Sequence, residues 1–354
     1  MSRRFNKGLV VGKFCPLHRG HQLVIDRAIE CCHRVIILSY TNPEFPRCEP
    51  AARRRWLGGL YPGVDALVLE GDIPPNDAVP VVHREFVSDV LAAHGHVVDA
   101  VFTSEAYGEP FARVLEGRQR LRDPSAPSVT HVSVDAGRVR VPISGTALRK
   151  SAGPFEGLLS GVVAADLVQR VCFLGGESTG KSTLAQALGV ELQEPCVPEY
   201  GRELWELREG ALSAEDLADI AREQVRREEA ASLRAHRLVV CDTSPLATLF
   251  YSLEMFGVAA REVEVLAERR YDLVVLCGDD IPFSQDGTRR DATFRSKGQA
   301  WYRRALASRG LSWMEAVGSV QERVQQVLVA LGASSPPGVR YDPASPKPAA
   351  SERD

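Results

Sequence analysis

The stretch GLVVGKFCPLHRGHQLVIDRAIECCHRVIILSY, Gly8–Tyr40, holds one complete structural unit. GLVVGKF and RVIILSY are apolar runs of strand length. Between them HQLVIDRAIECC sets its apolar residues three and four apart, the spacing of a helix with one buried face. Strand, helix and strand in so short a span form a βαβ unit, which requires a parallel sheet. Ligands of an open parallel sheet bind beyond the carboxyl ends of its strands. GKFCPLHRGH, Gly12–His21, falls at that place and carries two histidines three residues apart.

The same reading runs outward along the 354 residues, a length that fits two domains. ALVLEGD, VDAVFTS, HVSVD and VRVPIS are further strand candidates, and REFVSDVLAAHG is a helix. After a connector at 151–168, RVCFLGGESTGKSTLAQALG opens a second strand–loop–helix unit. SAEDLADIAREQVRREEAASLRAH is a long charged helix. HRLVVCDTSP and YDLVVLCGDD are buried strands ending in carboxylates. LSWMEAVGS and VQERVQQVLVALG are the last strand and helix. Residues 333–354, rich in Pro, Ser and Ala, are expected to be a disordered tail. The expected domains are thus 1–150 and 169–332, two α/β units with doubly wound parallel sheets. Charge is 43 basic against 46 acidic residues, net −3, so nothing points to nucleic acid. No run reaches the roughly 20 apolar residues of a membrane span. The apolar run near Met1 is too short for a secretion signal. The eight cysteines lack CxxC spacing and read as free thiols of a cytoplasmic protein.

His18 and His21 need a third ligand to hold zinc, and no nearby cluster supplies one. Phosphate chemistry fits better. Gly20 permits close backbone approach, and a helix N-terminus offers free N–H groups to an anion. A second motif, ISGTALR, Ile143–Arg149, matches this role: Ser144 and Thr146 suit a helix N-terminus, and Arg149 lies one turn later. Gly12, Lys13 and Phe14 complete the first strand's exit. The pair of motifs resembles the nucleotidylyltransferase superfamily signatures HxGH and ISxTxxR. That resemblance implies a Rossmann-like domain in which a substrate phosphate attacks the α-phosphate of ATP and pyrophosphate leaves.

GGESTGKST, Gly175–Thr183, fits the phosphate-binding loop pattern between a strand and a helix. Backbone N–H groups from Gly175, Gly176, Glu177, Ser178, Thr179 and Gly180 face phosphate, Lys181 reaches the β- and γ-phosphates, Ser182 ligates Mg²⁺, and Thr183 follows. Asp242, ending LVVCD, is the expected carboxylate near the metal. Glu199, in PEYGRE, is placed at a strand end as the group that orients or deprotonates an acceptor hydroxyl. SQDGTRRD brings Asp286, Arg289 and Arg290 on a loop able to close over phosphate. Tyr107, Trp205 and Trp301 are the aromatic candidates for ring stacking.

In this order the two modules resemble the NadR family over roughly residues 5–330. TSEAYG, VPISGT, GGESTGKSTL, PEYGRE and DGTRR carry the likeness beyond the generic signatures. It implies a bifunctional enzyme of NAD salvage: a C-terminal kinase converts nicotinamide riboside to NMN, and an N-terminal adenylyltransferase joins NMN to the AMP of ATP, giving NAD. His18, His21, Arg149, Lys181, Asp242 and Glu199 are then the catalytic set. Thr103, Ser104, Glu105, Tyr107, Tyr200, Arg202 and Asp286 touch substrate. ATP and Mg²⁺ serve both sites, and a homo-oligomer is compatible. Some members carry an N-terminal helix-turn-helix; here strand one begins within about ten residues of Met1, so no DNA binding is expected. PEYGRE departs from the family pattern, with Gly201 for Ala. A coenzyme A synthase and a nucleotide-sensing regulator are the alternatives.

Overall fold

Alternating apolar runs build two separate parallel sheets. The structure, a computed structural model, describes residues 3–105, 107–150, 157–285, 287 and 290–334. The chain divides into two units, Met1–Leu167 and Val168–Asp354. Asp286, Arg289, Ala106 of TSEAYG, the connector residues 151–156 and the tail residues 335–354 lie outside the described residues.

The first unit runs β1 (Phe5–Gly12), α1 (Arg19–Cys31), β2 (Cys32–Ser39), α2 (Pro50–Leu60), β3 (Asp65–Val68), α3 (Pro80–Ala93), β4 (Ala100–Thr103), α4 (Gly108–Arg122), β5 (Thr130–Ser133), α5 (Gly145–Lys150) and α6 (Gly161–Leu167). The sheet order is β3-β2-β1-β4-β5, every pairing parallel. Leu9 pairs with Ile36 on one side and Val101 on the other. These three enter one core with Phe111 and Leu115. Val10, Ile37 and Phe102 point the opposite way and pack with Ile25 and Trp56. Both faces are thus apolar, as a sheet covered by helices on each side requires. The strand order reverses between β1 and β4, which opens a crevice at their carboxyl ends.

The second unit runs β6 (Gln169–Leu174), α7 (Lys181–Leu192), β7 (Cys196–Val197), α8 (Tyr200–Leu207), α9 (Ala214–Ser232), β8 (Leu238–Asp242), α10 (Pro245–Phe256), α11 (Arg261–Ala267), β9 (Leu273–Cys277), α12 (Ala292–Ser308), β10 (Trp313–Ala316) and α13 (Val320–Ser334). Its sheet is also parallel, in the order β10-β9-β6-β8-β7. Val171 and Phe173 face one core, Cys172 and Leu174 the other.

Four local expectations differ from the structure. VRVPIS is a loop rather than a strand, because the Asp135 carboxylate accepts the backbone N–H groups of Val139, Arg140 and Val141 at 2.9, 3.1 and 3.2 Å. Those donors are therefore not available to a ladder. The later part of the expected connector is α6, which joins the first unit: Val163 is fully buried in its core, and Asp166 accepts from Arg55 and the Trp56 indole. Glu199 does not end a strand; it precedes the first turn of α8. The last helix continues to Ser334, past the expected start of the tail at Ala333.

Candidate functional sites

At the carboxyl ends of β1 and β4 lies a cavity of about 530 Å³. Gly12, Lys13, Phe14, His18, Gly20, His21, Thr103, Ser104, Glu105, Tyr107, Ser144, Thr146 and Arg149 all line it, although they come from three distant parts of the chain. The two histidines cap α1 reciprocally. His18 Nδ1 accepts the His21 N–H at 3.3 Å, and His21 Nδ1 accepts the His18 N–H at 3.4 Å. Both Nδ1 atoms act as acceptors, so the neutral rings carry their protons on Nε2. The rings stack with centroids 3.7 Å apart, and the Phe14 ring meets His21 edge-on at 5.0 Å. Burial, reinforced by the charge of Arg138, pushes His18 down to about 4. Burial holds His21 well below its ordinary value, and His18 and Arg138 add to this against a hydrogen bond to the Pro16 carbonyl. Near neutral pH both are uncharged donors.

Ser144 caps α5 by accepting the Ala147 N–H at 3.2 Å. Arg149 donates to the Cys15 carbonyl and to Thr146 Oγ1 at 3.1 Å, and its guanidinium lies 3.9 Å over the Phe45 ring. ISGTALR and GKFCPLHRGH are therefore bound to each other directly. Burial and then Arg149 lower the Lys13 pKa. On the far side Thr103 Oγ1 meets His131 Nε2 at 2.9 Å, and Glu105 pairs with Arg138 at 3.0 Å. Burial, then Glu105, raises Tyr107 to about 12. Asp135, Arg138, Tyr40 and His83 also line this cavity, the last two joined by a 3.0 Å hydrogen bond, and the sequence reading did not select them. Arg138 falls in the short stretch between the two strand candidates HVSVD and VRVPIS, where no motif marks it.

In the second unit a cavity of about 500 Å³ opens over the loop that follows β6. Gly175, Glu177, Ser178, Thr179, Gly180, Lys181, Ser182, Thr183, Glu199, Arg202 and Arg290 line it. The loop is held from several sides. Gly175 has φ +144°, and a Cβ there would stand 2.8 Å from Thr179 Oγ1 and 2.9 Å from the Cys277 carbonyl, so only glycine fits. The Gly176 N–H donates to Gln299 Oε1 at 3.0 Å, which places it beneath the loop rather than on the cavity wall. Arg323, 2% exposed, donates to the Thr179 and Gly318 carbonyls at 2.8 and 2.9 Å and pairs with Asp280 at 2.6 Å. Lys181 Nζ folds back onto the Gly175 and Gly176 carbonyls at 3.1 and 3.0 Å.

Asp242 is buried behind this loop. Burial raises its pKa against the Ser182 hydroxyl hydrogen bond and the Lys181 charge. Its Oδ1 has no hydrogen-bond partner among the described residues. A buried, unpartnered carboxylate oxygen beside a hydroxyl is a donor set that suits Mg²⁺, which takes one or two protein oxygens and completes its shell with phosphate and water. Burial also raises Glu199, against Lys181 and with Asp242. Glu177 accepts from the Tyr251 hydroxyl at 3.1 Å and the Arg290 N–H at 2.7 Å. Two expected residues stand elsewhere. The Tyr200 ring lies under the Arg227 guanidinium at 4.4 Å and is not on the cavity wall, and Trp301 packs against Phe250 in the core. Trp205 does line the cavity, joined by Tyr251 and Gln224, which no sequence pattern marked.

Known proteins resemble this chain across both units. The AAA domain family matches residues 170–323, the phosphate-loop unit. The trifunctional NAD biosynthesis/regulator protein NadR of Escherichia coli is 27% identical over 80% of this chain and 71% of its own length. That of Salmonella typhimurium is 29% identical over 81% and 72%. The chain is a homologue of the NadR proteins. Two solved NadR structures share its two-unit α/β fold. One, in complex with NAD and AMP-PNP, has TM-score 0.67 at 20% identity over 96% of this chain and 98% of its own. The other, in complex with NR, has TM-score 0.68 at 18% identity over 95% and 97%. Among the described residues no helix is long and apolar enough to cross a membrane, and no cluster of three or more His, Cys, Asp and Glu could hold a metal ion.

Proposed function

We propose that this NadR homologue is a bifunctional enzyme of NAD biosynthesis. Its second unit phosphorylates nicotinamide riboside with ATP to NMN, and its first unit adenylylates NMN with ATP to NAD and pyrophosphate. The observation that carries the reading is the convergence of the HxGH and ISxTxxR residues on one cavity, in a chain that builds a complete phosphate loop around another.

In the first site no side chain needs to bond covalently to substrate. His18 offers a neutral Nε2–H donor to phosphate oxygens, His21 does so by exchanging the Pro16 carbonyl for phosphate, and Ser144, Thr146 and Arg149 line the same cavity. Donors fixed before reaction favour the transition state, because charge builds on the oxygens they meet. Lys13, near Arg149, adds a second cation. Thr103, Ser104 and Tyr107 form the opposite wall for the nucleotide acceptor.

In the second site the loop N–H groups and Lys181 bind the ATP phosphates. Lys181 leaves the Gly175 and Gly176 carbonyls to do so. Ser182 and Asp242 would hold Mg²⁺, which neutralises phosphate charge when bound. Glu199, raised by burial, orients the acceptor hydroxyl and takes its proton. Arg202 and Arg290 face the same space. The test supplies ATP with nicotinamide riboside, NMN or phosphopantetheine to the purified chain. NAD from NMN, and NMN from the riboside, support the reading; turnover of phosphopantetheine alone refutes it.

A further inference from the structure

Resting on adenylyl transfer in the first unit, we propose that Arg138 is a further phosphate-binding residue of that site, with Glu105 as the anion that holds it until a substrate phosphate takes its place. Arg138 lines the same cavity as His18 and His21. It sits on a built turn. The Asp135 carboxylate accepts the N–H groups of Val139, Arg140 and Val141, and the Asp135 carbonyl accepts the Arg138 N–H at 2.8 Å. Asp135 and Arg138 adopt left-handed backbone, φ +52° and +51°. Non-glycine residues take this conformation at a cost, and such positions gather where a side chain must be aimed.

Burial keeps both imidazoles uncharged, and the cation so placed adds to that effect. Two neutral donors and a guanidinium leave a cavity wall complementary to an anion. In the structure Glu105 supplies one, with Oε1 3.0 Å from Arg138. Glu105 follows β4 and Arg138 follows β5, so the pair closes between two strand ends. Both side chains are about half exposed, at 50% and 41%, so the pair is weak and easily exchanged. A phosphate oxygen meets the guanidinium fork at least as well as a carboxylate does. Arg149 differs: the Cys15 carbonyl, Thr146 and the Phe45 ring already fix it. Arg149 therefore serves as the rigid clamp and Arg138 as the exchangeable one.

The pair predicts opposite effects from its two members. NAD formation from ATP and NMN is measured in the full chain, with kinase turnover of nicotinamide riboside as the control in the other unit. Arg138→Gln is expected to lower kcat/KM for NAD formation by roughly 10- to 100-fold, the scale of a charge-assisted hydrogen bond, and to leave the kinase unchanged. Arg138→Lys should recover part of the loss. Glu105→Gln, which frees Arg138 from its stand-in, should lower KM for NMN or ATP by about two- to fivefold. A merely structural ion pair would make both neutralised variants worse alike, and that result overturns the proposal. So does Arg138→Gln within twofold of the parent enzyme, or Arg138→Lys as poor as Arg138→Gln. If the parent chain makes no NAD at all, the reading of the site itself fails, before Arg138 is tested.

Discussion

His18 and His21 cap one helix with their own rings, and that sets how the first unit responds to acid. His18 is held at about 4 in the folded chain against an ordinary 6.5. Between those values the unfolded chain binds the extra proton, so stability rises with pH across the window. The contribution is whole above pH 6.5 and is lost as pH falls toward 4, amounting to about 3 kcal/mol for His18. A second charged ring stacked 3.7 Å away would add repulsion. Denaturant midpoints followed from pH 7 to 4 should fall steeply, and a His18→Asn variant, which keeps a capping acceptor, should fall less. Equal slopes would show that the histidines do not govern acid sensitivity. Gly108 gives a steric prediction at the same scale. A Cβ at Gly108 would stand 2.0 Å from His131 Nε2, the atom that meets Thr103. Gly108→Ala should cost about 1–3 kcal/mol through overpacking. Adding His131→Ala should recover much of that loss in thermal unfolding; no recovery would place the strain elsewhere.

At the scale of elements, the phosphate loop is held by side chains outside its motif. Arg323 comes from α13 and reaches the Thr179, Gly278 and Gly318 carbonyls and Asp280. Removing it leaves buried acceptors without a donor, which costs about 1–3 kcal/mol each. Arg323→Ala should therefore raise the kinase KM for ATP and lower thermal stability, with adenylyl transfer spared; an unchanged KM would mean that the loop keeps its shape without this buttress. Nothing in the sequence singles out Arg323, because Thr179, Gly278 and Asp280, three of its four partners, are distant along the chain. The strands were legible where continuous apolar runs are buried on both faces, as in VCFL and LVVCD. VRVPIS alternates apolar and polar residues and fails as a strand because one carboxylate, Asp135, captures its N–H groups. The helix α10 has no polar face to mark its period, since Pro245, Leu246, Ala247, Thr248, Leu249 and Phe250 are all buried. The motif residues of the first site were legible because each motif is contiguous in itself; Tyr40, His83 and Arg138 reach the cavity singly, from outside those motifs.

Across the whole molecule, two sites with separate sheets and separate cores predict separable chemistry. His21→Ala removes one transition-state donor from the first site, a loss of about 2.7–4 kcal/mol, or 10²- to 10³-fold in rate. His21 does not line the second cavity, so riboside phosphorylation should persist. Lys181→Ala should do the reverse, blocking phosphorylation while NMN supplied directly still becomes NAD. Given nicotinamide riboside and ATP, neither variant alone should make NAD at an appreciable rate. Mixed together they should, because NMN released by the His21→Ala chain can diffuse to the intact first site of the Lys181→Ala chain. The rate in the mixture should rise with the concentration of the Lys181→Ala partner and fall when NMN is scavenged from solution. A mixture that stays silent, while each variant keeps its one activity, would mean that NMN does not pass freely between chains and that the two reactions are coupled within one molecule.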